Sequence, residues 1–507
     1  MTDHTHLPHR PEPYWRESGK LPSFPALSAD IEVDAAVVGG GITGITAAYL
    51  LAKEGLSVAL LEADLLVNGT TGHTTAKITA QHDVIYDELI HHFGEEKARA
   101  YYDANDEALQ LMKNLISEHS IDCDFSEQDA YIYVTEEKNA EKIEKEARAY
   151  ETLGIPGGYV DQLPIGLKIH SGVVMKNQAQ FNPVKYLIPL VKELQAMGVQ
   201  IYEHTRVNDA EKGSPAKVKT LDGHTVTCRH AVSCSHFPFM DGKGMYFARL
   251  HPERSYVVAG KISKPYAGGM YLSADSPSRS IRYTPMNGEE LILIGGEGHK
   301  TGQSKDTMKH YEALRTFGQT DLDLKETLYR WSAQDLFSVD TLPYIGHLTE
   351  DYPNVFVATG FRKWGMAFGT AAAVMARDYV IGKENKYADL FTPSRFKADP
   401  GLKTLVAENT NVAGHLIGGK LSPADKKMEE LHPDEGALVH YNGQKAAVYK
   451  DENGQITAVD ATCTHMGCEV AWNSGDRTWD CPCHGSRFSV DGEVVEGPAD
   501  TPLKKLN

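Results

Sequence analysis

The sequence predicts an α/β body, a stretch of antiparallel sheet beyond it, and a small all-β domain after residue 435. Three observations carry that prediction. Residues 32–63, EVDAAVVGGGITGITAAYLLAKEGLSVALLEA, read as strand, glycine turn, helix and returning strand. Residues 278–299, SRSIRYTPMNGEELILIGGEGH, show the alternation and turn residues of antiparallel sheet. After residue 435, short strand-like runs are separated by Asn442-Gly443 and Asn453-Gly454, dipeptides that tight hairpins favour.

Length and charge narrow the function. At 507 residues the chain exceeds one compact core, so two to four domains are expected. Hydrophobic residues at 41% and charged residues at 24% are ordinary for a folded protein. A formal charge of -18 argues against nucleic acid, which wants a basic face, and against anionic membranes. No apolar run approaches a membrane span, and MTDHTHLPHRPEPYW holds neither an apolar signal core nor a twin arginine. A cytoplasmic protein without a transmembrane segment is therefore expected.

In chain order, residues 1–30 hold Pro8, Pro11, Pro13, Pro22 and Pro25, which preclude a long helix and suggest an extended arm anchored by Tyr14 and Trp15. A strand at 33–38 then runs into Gly39-x-Gly41-x-x-Gly44, a helix at 42–53 and a strand at 58–61 that ends on Glu62. Glycines let backbone approach a pyrophosphate, the helix N-terminus offers unpaired N–H groups, and the carboxylate takes ribose hydroxyls. The motif alone serves FAD and NAD equally. Residues 97–119 carry apolar residues at helical spacing, and 136–151 carry paired charges typical of a solvated helix face. From 386 to 425 the chain turns polar, with Pro393, Pro400 and Pro423, and reads as a linker packing on one or both domains. Cys123, Cys228 and Cys234 lack ligand-like spacing and read as core residues.

The final domain, 426–507, carries CTHMGCEV at 463–470 and CPCHGS at 481–486. Cys463-x-His465 and Cys481-x-x-His484 present one thiolate and one imidazole on each of two loops. Structural zinc sites more often keep like ligands together. A two-iron cluster with two Cys on one iron and two His on the other needs this mixed order, although a zinc knuckle or unrelated residues would also leave it.

Ligand order, spacing and the intervening residues resemble the Rieske [2Fe-2S] domain. The resemblance implies a [2Fe-2S] cluster held by Cys463, His465, Cys481 and His484. It also implies a disulfide between Cys468 and Cys483, as in the Rieske proteins of cytochrome bc complexes, adding about 3 kcal/mol by the chain-entropy argument. Two free thiols are the alternative, and a cytosolic disulfide would need shielding by the packed loops. Ser486 falls where that subfamily donates a hydroxyl to a cluster sulfur. Phe488 stands where it has tyrosine, and the missing hydroxyl implies a lower potential.

Residues 30 to 385 resemble the family of D-amino-acid oxidase, glycine oxidase and sarcosine oxidase. The matching stretches are the small-residue loop at 68–77, FNPVKY at 181–186 with Val207 beyond it, DTLPYIG at 340–346, and the strand ending at Gly360 before a helix that begins near Gly365 and Met366. The resemblance implies FAD, with Val207 meeting the adenine and the helix start facing the flavin pyrimidine oxygen. The implied architecture is an α/β FAD-binding Rossmann-like domain (31–85, 150–240, 335–385) with an interleaved α+β substrate domain (86–149, 241–334), followed by an all-β Rieske domain. The substrate sheet should roof the flavin pocket. The family's substrate-binding arginine before DxLPxIG is not in place, since this chain has Trp331-Ser332-Ala333-Gln334-Asp335 there, with Arg330 displaced. Arg362, where glycine oxidase has a substrate-facing arginine, and His73 are the catalytic candidates, with Lys77, Arg282 and Tyr283 behind them.

Together these imply an FAD-dependent oxidoreductase that oxidises a small-molecule substrate, an amine or amino-acid derivative, and exchanges electrons singly through the cluster with an acceptor or donor protein. The alternatives are an electron-transfer flavoprotein or reductase with no small substrate of its own, and a redox sensor. A Rieske oxygenase would need a mononuclear iron trio, which the sequence does not offer.

Overall fold

Ala35–Val38 of strand Ile31–Val38, together with strands Val58–Leu61 and Val355–Thr359, are apolar enough to be buried on both faces, as parallel strands require. In the computed structural model, which describes residues 6–395 and 399–506, they join an eight-stranded sheet. Its parallel centre runs Val355–Thr359, Thr225–Ser233, Ile31–Val38, Val58–Leu61, Gln200–Tyr202. Val38 lies opposite both Ser233 and Leu61, so three strands end level and open one crevice at their carboxyl ends, where such sheets bind ligands.

A second sheet of nine strands covers that crevice. Leu324–Ser338, Leu250–Ile262, Glu289–Lys300, Arg279–Met286, Met270–Ser273, Ser126–Val134, Ser171–Gln180 and Lys77–Ile78 follow one another across it, with Gly157–Val160 paired to Ser171–Gln180. Here the structure shifts a boundary. The sequence reading gives 150–240 to the nucleotide-binding part and closes the first insertion at 149. Ser171–Gln180 instead pairs with Ser126–Val134, and Lys77–Ile78 joins it on the same sheet. Those long-range pairings satisfy the strand's backbone groups, so the insertion runs from about 77 to 180. Between the strands, helices Glu95–Glu118 and Ala140–Leu153 form on the two stretches read as helical, and a further helix, Tyr86–Phe93, precedes them.

The N-terminal arm lies on the second sheet. Trp15 is fully buried, its indole donating to the Thr74 carbonyl at 2.8 Å, and Tyr14 donates to the Pro285 carbonyl at 3.0 Å. Within the polar segment after 386, Gly401–Leu421 forms a helix bound to the second sheet by Lys300 to Glu408 (2.6 Å). Its Val412 and Leu416 pack on the C-terminal domain.

That domain has a three-stranded sheet, Glu435–Tyr441, Gln444–Lys450 and Ile456–Asp460, and a four-stranded one, Ala471–Asn473, Thr478–Asp480, Arg487–Phe488 and Val494–Glu496. Asn442 (φ 49) and Gly443 (φ 84) both take the left-handed conformation of a tight hairpin turn. Among the described residues no helix is long and apolar enough to cross a membrane.

Candidate active site

At the crevice the chain can take no side chain. A Cβ on Gly44 would sit 1.8 Å from the Gly39 carbonyl oxygen, and one on Gly39 2.5 Å from that of Cys234. Helix Ile42–Lys53 starts here without a side-chain cap at Gly41; Ile42 N–H donates to Thr71 Oγ1 at 3.1 Å, and the positive helix end beyond it faces the crevice where an anion would sit. Glu62 is held by N–H donation from Gly40 (2.6 Å) and Asp64 (2.9 Å), and burial raises its carboxyl above the usual range.

A cavity of about 980 Å³ opens from this turn. Gly39, Gly41, Glu62, Val207, the loop 67–75, Gly365 and Met366 lie on its wall, so the structure gathers most of the cofactor residues read from sequence. Gly44 and Gly360 stand behind the wall, Gly44 as the close contact that shapes the turn. Helix Gly365–Val380 also begins without a side-chain cap at the cavity. His236 Nε2 and Gln334 Oε1, on wall residues, are buried without hydrogen-bond partners among the described residues. Orphaned polar atoms, two open helix starts and a side-chain-free turn fit a bound dinucleotide.

The catalytic candidates divide. Arg362 stands off the cavity wall: its guanidinium lies 5.6 Å from the Phe337 ring centre and reaches the Thr341 carbonyl at 3.4 Å. Arg362 (φ 50) and Lys363 (φ 72) are both left-handed, and this double turn brings Lys363 to the wall in its place. His73 is on the wall, its Nδ1 bonded to the Gly69 carbonyl at 3.0 Å, and burial pushes its pKa down to about 4. Arg282 spends its guanidinium on the carbonyls of Ala76 and Phe181 and is structural. Lys77 lines the cavity, donating to the Tyr271 carbonyl at 2.8 Å, and burial lowers its pKa to about 7. The sequence reading missed Asp335, whose carboxyl burial raises to about 6, and Lys363, 3.4 Å from Glu253. Only the adjacency of Lys363 to Arg362, and the place of Asp335 at the end of the stretch Trp331-Ser332-Ala333-Gln334-Asp335, hinted at them.

In the C-terminal domain the four proposed ligands converge. Hydrogen bonds from Cys463 N to Cys468 O (2.8 Å) and Gly485 N to Cys481 O (3.1 Å) curl the two loops. The imidazoles of His465 and His484 stand 5.0 Å apart, nearly perpendicular. The thiols of Cys463 and Cys481 face each other, and their mutual interaction holds Cys463 below the usual thiol range and pushes Cys481 above it. His484 Nδ1 is buried without a partner among the described residues, and burial lowers its pKa to about 4, leaving a neutral ring with a free lone pair. His465 bonds through Nε2 to Asp241 Oδ2 at 2.8 Å, so its Nδ1 is the nitrogen left for a metal. Two facing thiols and two spare imidazole nitrogens are the donor set of a mixed Cys/His cluster.

Cys468 and Cys483 are joined by a disulfide, Cα atoms 6.5 Å apart, which lies against Cys481. Ser486 accepts a hydrogen bond from Ala499 N at 3.0 Å, and its hydroxyl helps hold the Cys463 thiol down. Phe488 is fully buried in the same core.

The two sites share walls. Residues 494–500 of the C-terminal domain line the cavity that begins at Gly39. Phe237, also on the cavity wall, has its ring 6.4 Å from that of His465, and Phe247 lies 6.0 Å from His484. Backbones meet directly: a Cβ on Gly302 would be 2.7 Å from Pro482 N, and one on Gly485 2.6 Å from Pro252 Cβ. Arg254, from strand Leu250–Ile262, is buried among acids of the C-terminal domain, donating to Glu496 Oε2 at 2.8 Å.

Residues 34–378 match the FAD dependent oxidoreductase family, and residues 423–507 match the Rieske [2Fe-2S] domain. A protein named for a Rieske 2Fe-2S centre, YhfW of Bacillus subtilis (strain 168), is 50% identical over 98% of this chain and 98% of its own. Gamma-glutamylputrescine oxidoreductase of Escherichia coli (strain K12) is 22% identical over 80% of this chain and 95% of its own. Among solved structures, glycine oxidase from Geobacillus kaustophilus superposes with a TM-score of 0.62 at 20% identity, covering 72% of this chain and 99% of that one.

Proposed function

Because this chain belongs to the FAD dependent oxidoreductase family and ends in a Rieske [2Fe-2S] domain, we propose that it oxidises a small amine or amino-acid derivative and passes the electrons one at a time to an external acceptor. Bound FAD supplies two-electron oxidation, and the [2Fe-2S] cluster supplies one-electron exchange.

In this reading the Gly39–Gly44 turn and the start of helix Ile42–Lys53 would hold the pyrophosphate, Glu62 the ribose and Val207 the adenine. The uncapped helix start at Gly365 and Met366 would stabilise negative charge on a reduced flavin ring. Lys363 is a wall cation able to meet a substrate anion. Converting C–N to C=N releases an N–H proton, and Lys77 and Asp335, shifted by burial toward neutral pH, are the wall groups able to accept it. Cys463 and Cys481 would hold one iron of the cluster, and His465 and His484 the other.

The observation that carries the proposal is the shared wall: one cavity is lined by the glycine turn and by residues 494–500, and Phe237 links it to His465. Anaerobic addition of amines, amino acids and hydroxy acids tests it. A substrate should bleach the flavin, and cluster bleaching should follow. If no donor reduces the flavin while a reduced protein partner does, the chain is an electron-transfer flavoprotein.

A further inference from the structure

The segment between strands Thr225–Ser233 and Leu250–Ile262 touches both cofactor sites. Its first residues, Cys234 to Phe239, line the cavity, and Phe237 then meets the His465 ring. Farther on, Asp241 reaches His465 Nε2, and Phe247 packs on His484. Asp241 and His465 are 224 positions apart, and the two side chains are 21% and 13% exposed, so this contact is a sheltered one between domains.

We propose that Asp241 is a positioning residue for the iron–sulfur cluster, supplied by the oxidoreductase domain. Its carboxylate accepts the Nε2–H of His465, which fixes the tautomer and turns Nδ1 toward iron, as carboxylates behind metal-bound imidazoles do. Its negative charge also favours the oxidised, more positive state of the cluster, lowering the midpoint. The flavin domain therefore sets the potential of the centre it faces, and the outer nitrogen of His465 is closed to a diffusing acceptor. Electrons would leave for that acceptor by an edge other than His465. This inference rests on the cluster assignment made above.

The experiment is a redox titration of the full-length holoprotein, followed by paramagnetic resonance, for wild type, Asp241→Asn and Asp241→Ala. Asn keeps an acceptor oxygen and removes the charge, so the cluster midpoint should rise while iron content, flavin content and the flavin midpoint stay as in wild type. Ala removes the acceptor as well, and should raise the midpoint and also alter the g values through a loosened His465. Unchanged midpoints in both variants overturn the inference. So does a shift in Asp241→Ala with none in Asp241→Asn, which would trace the effect to packing. Wild-type protein without iron and acid-labile sulfide would instead sink the cluster assignment itself, so the two failures are distinguishable.

Discussion

Replacing Arg254 by methionine should detach the Rieske domain from the oxidoreductase body. The Arg254 side chain is 1% exposed and spans the boundary: Nη1 donates to Ser332 Oγ at 2.6 Å, Nη2 to Glu496 Oε2 at 2.8 Å, and Asp476 and Asp480 lie at 3.5 and 3.8 Å. Arg487 binds the same three acids from the other side, at 3.1 Å to Asp480 and 2.9 Å to both Glu496 and Asp476. Two guanidiniums against three carboxylates leave one net negative charge, and removing Arg254 leaves two in a buried space. Breaking one partner out of a buried ion cluster costs about 3–5 kcal/mol, roughly two to three and a half powers of ten in the docking equilibrium. Hydrogen exchange of the amides in the 481–485 loop, which packs on Pro252 and Gly302, reads that equilibrium directly. Arg254→Met should lose protection there before the flavin domain does, and Arg254→Lys should lose less. Protection equal to wild type in Arg254→Met would refute the claim that this network holds the domains together.

Further outcomes follow from the same geometry. Burial pushes the Glu496 carboxyl up, but Arg254 and Arg487 outweigh it and hold the pKa at about 2. A carboxyl depressed in the folded state stabilises above its unfolded pKa, so protection of the same loop should fade as pH drops from about 4.5 towards 2; protection flat across that window contradicts it. Gly44→Ala places a Cβ 1.8 Å from the Gly39 carbonyl and should cut flavin content by about tenfold or more, while iron content is kept. Retained flavin absorbance would show that the turn does not hold the pyrophosphate. Phe488→Tyr puts a hydroxyl into the core shared with Cys463 and Cys481 and should raise the cluster midpoint; an unmoved midpoint counts against it.

Much of this was legible locally. The glycine turn, its helix and Glu62 fall within one short stretch, and their spacing is dictated by a single ligand. The Cys/His loops and the Asn442-Gly443 hairpin are likewise set by neighbours in sequence. What could not be read joins distant residues. Arg254 and Glu496 are 242 positions apart, and Asp241 and His465 are 224 apart; no local period records either pair. Helix Gly401–Leu421 was hidden because Gly414, Gly418 and Gly419 weaken intrinsic helicity. Tertiary contacts such as Asn409 to the Ala248 carbonyl at 2.9 Å help hold it. Arg362 misled because its side of the chain depends on two left-handed residues, which resemblance to another arginine does not reveal.

Flash photoreduction of the flavin under anaerobic conditions, with flavin and cluster absorbance followed together, tests the central claim without needing the substrate. Electron exchange within one chain predicts that the cluster bleaches as the reduced flavin is reoxidised, with one rate constant that does not change on dilution. A flavin that stays reduced beside an oxidised cluster, or a rate that rises with protein concentration, would contradict it.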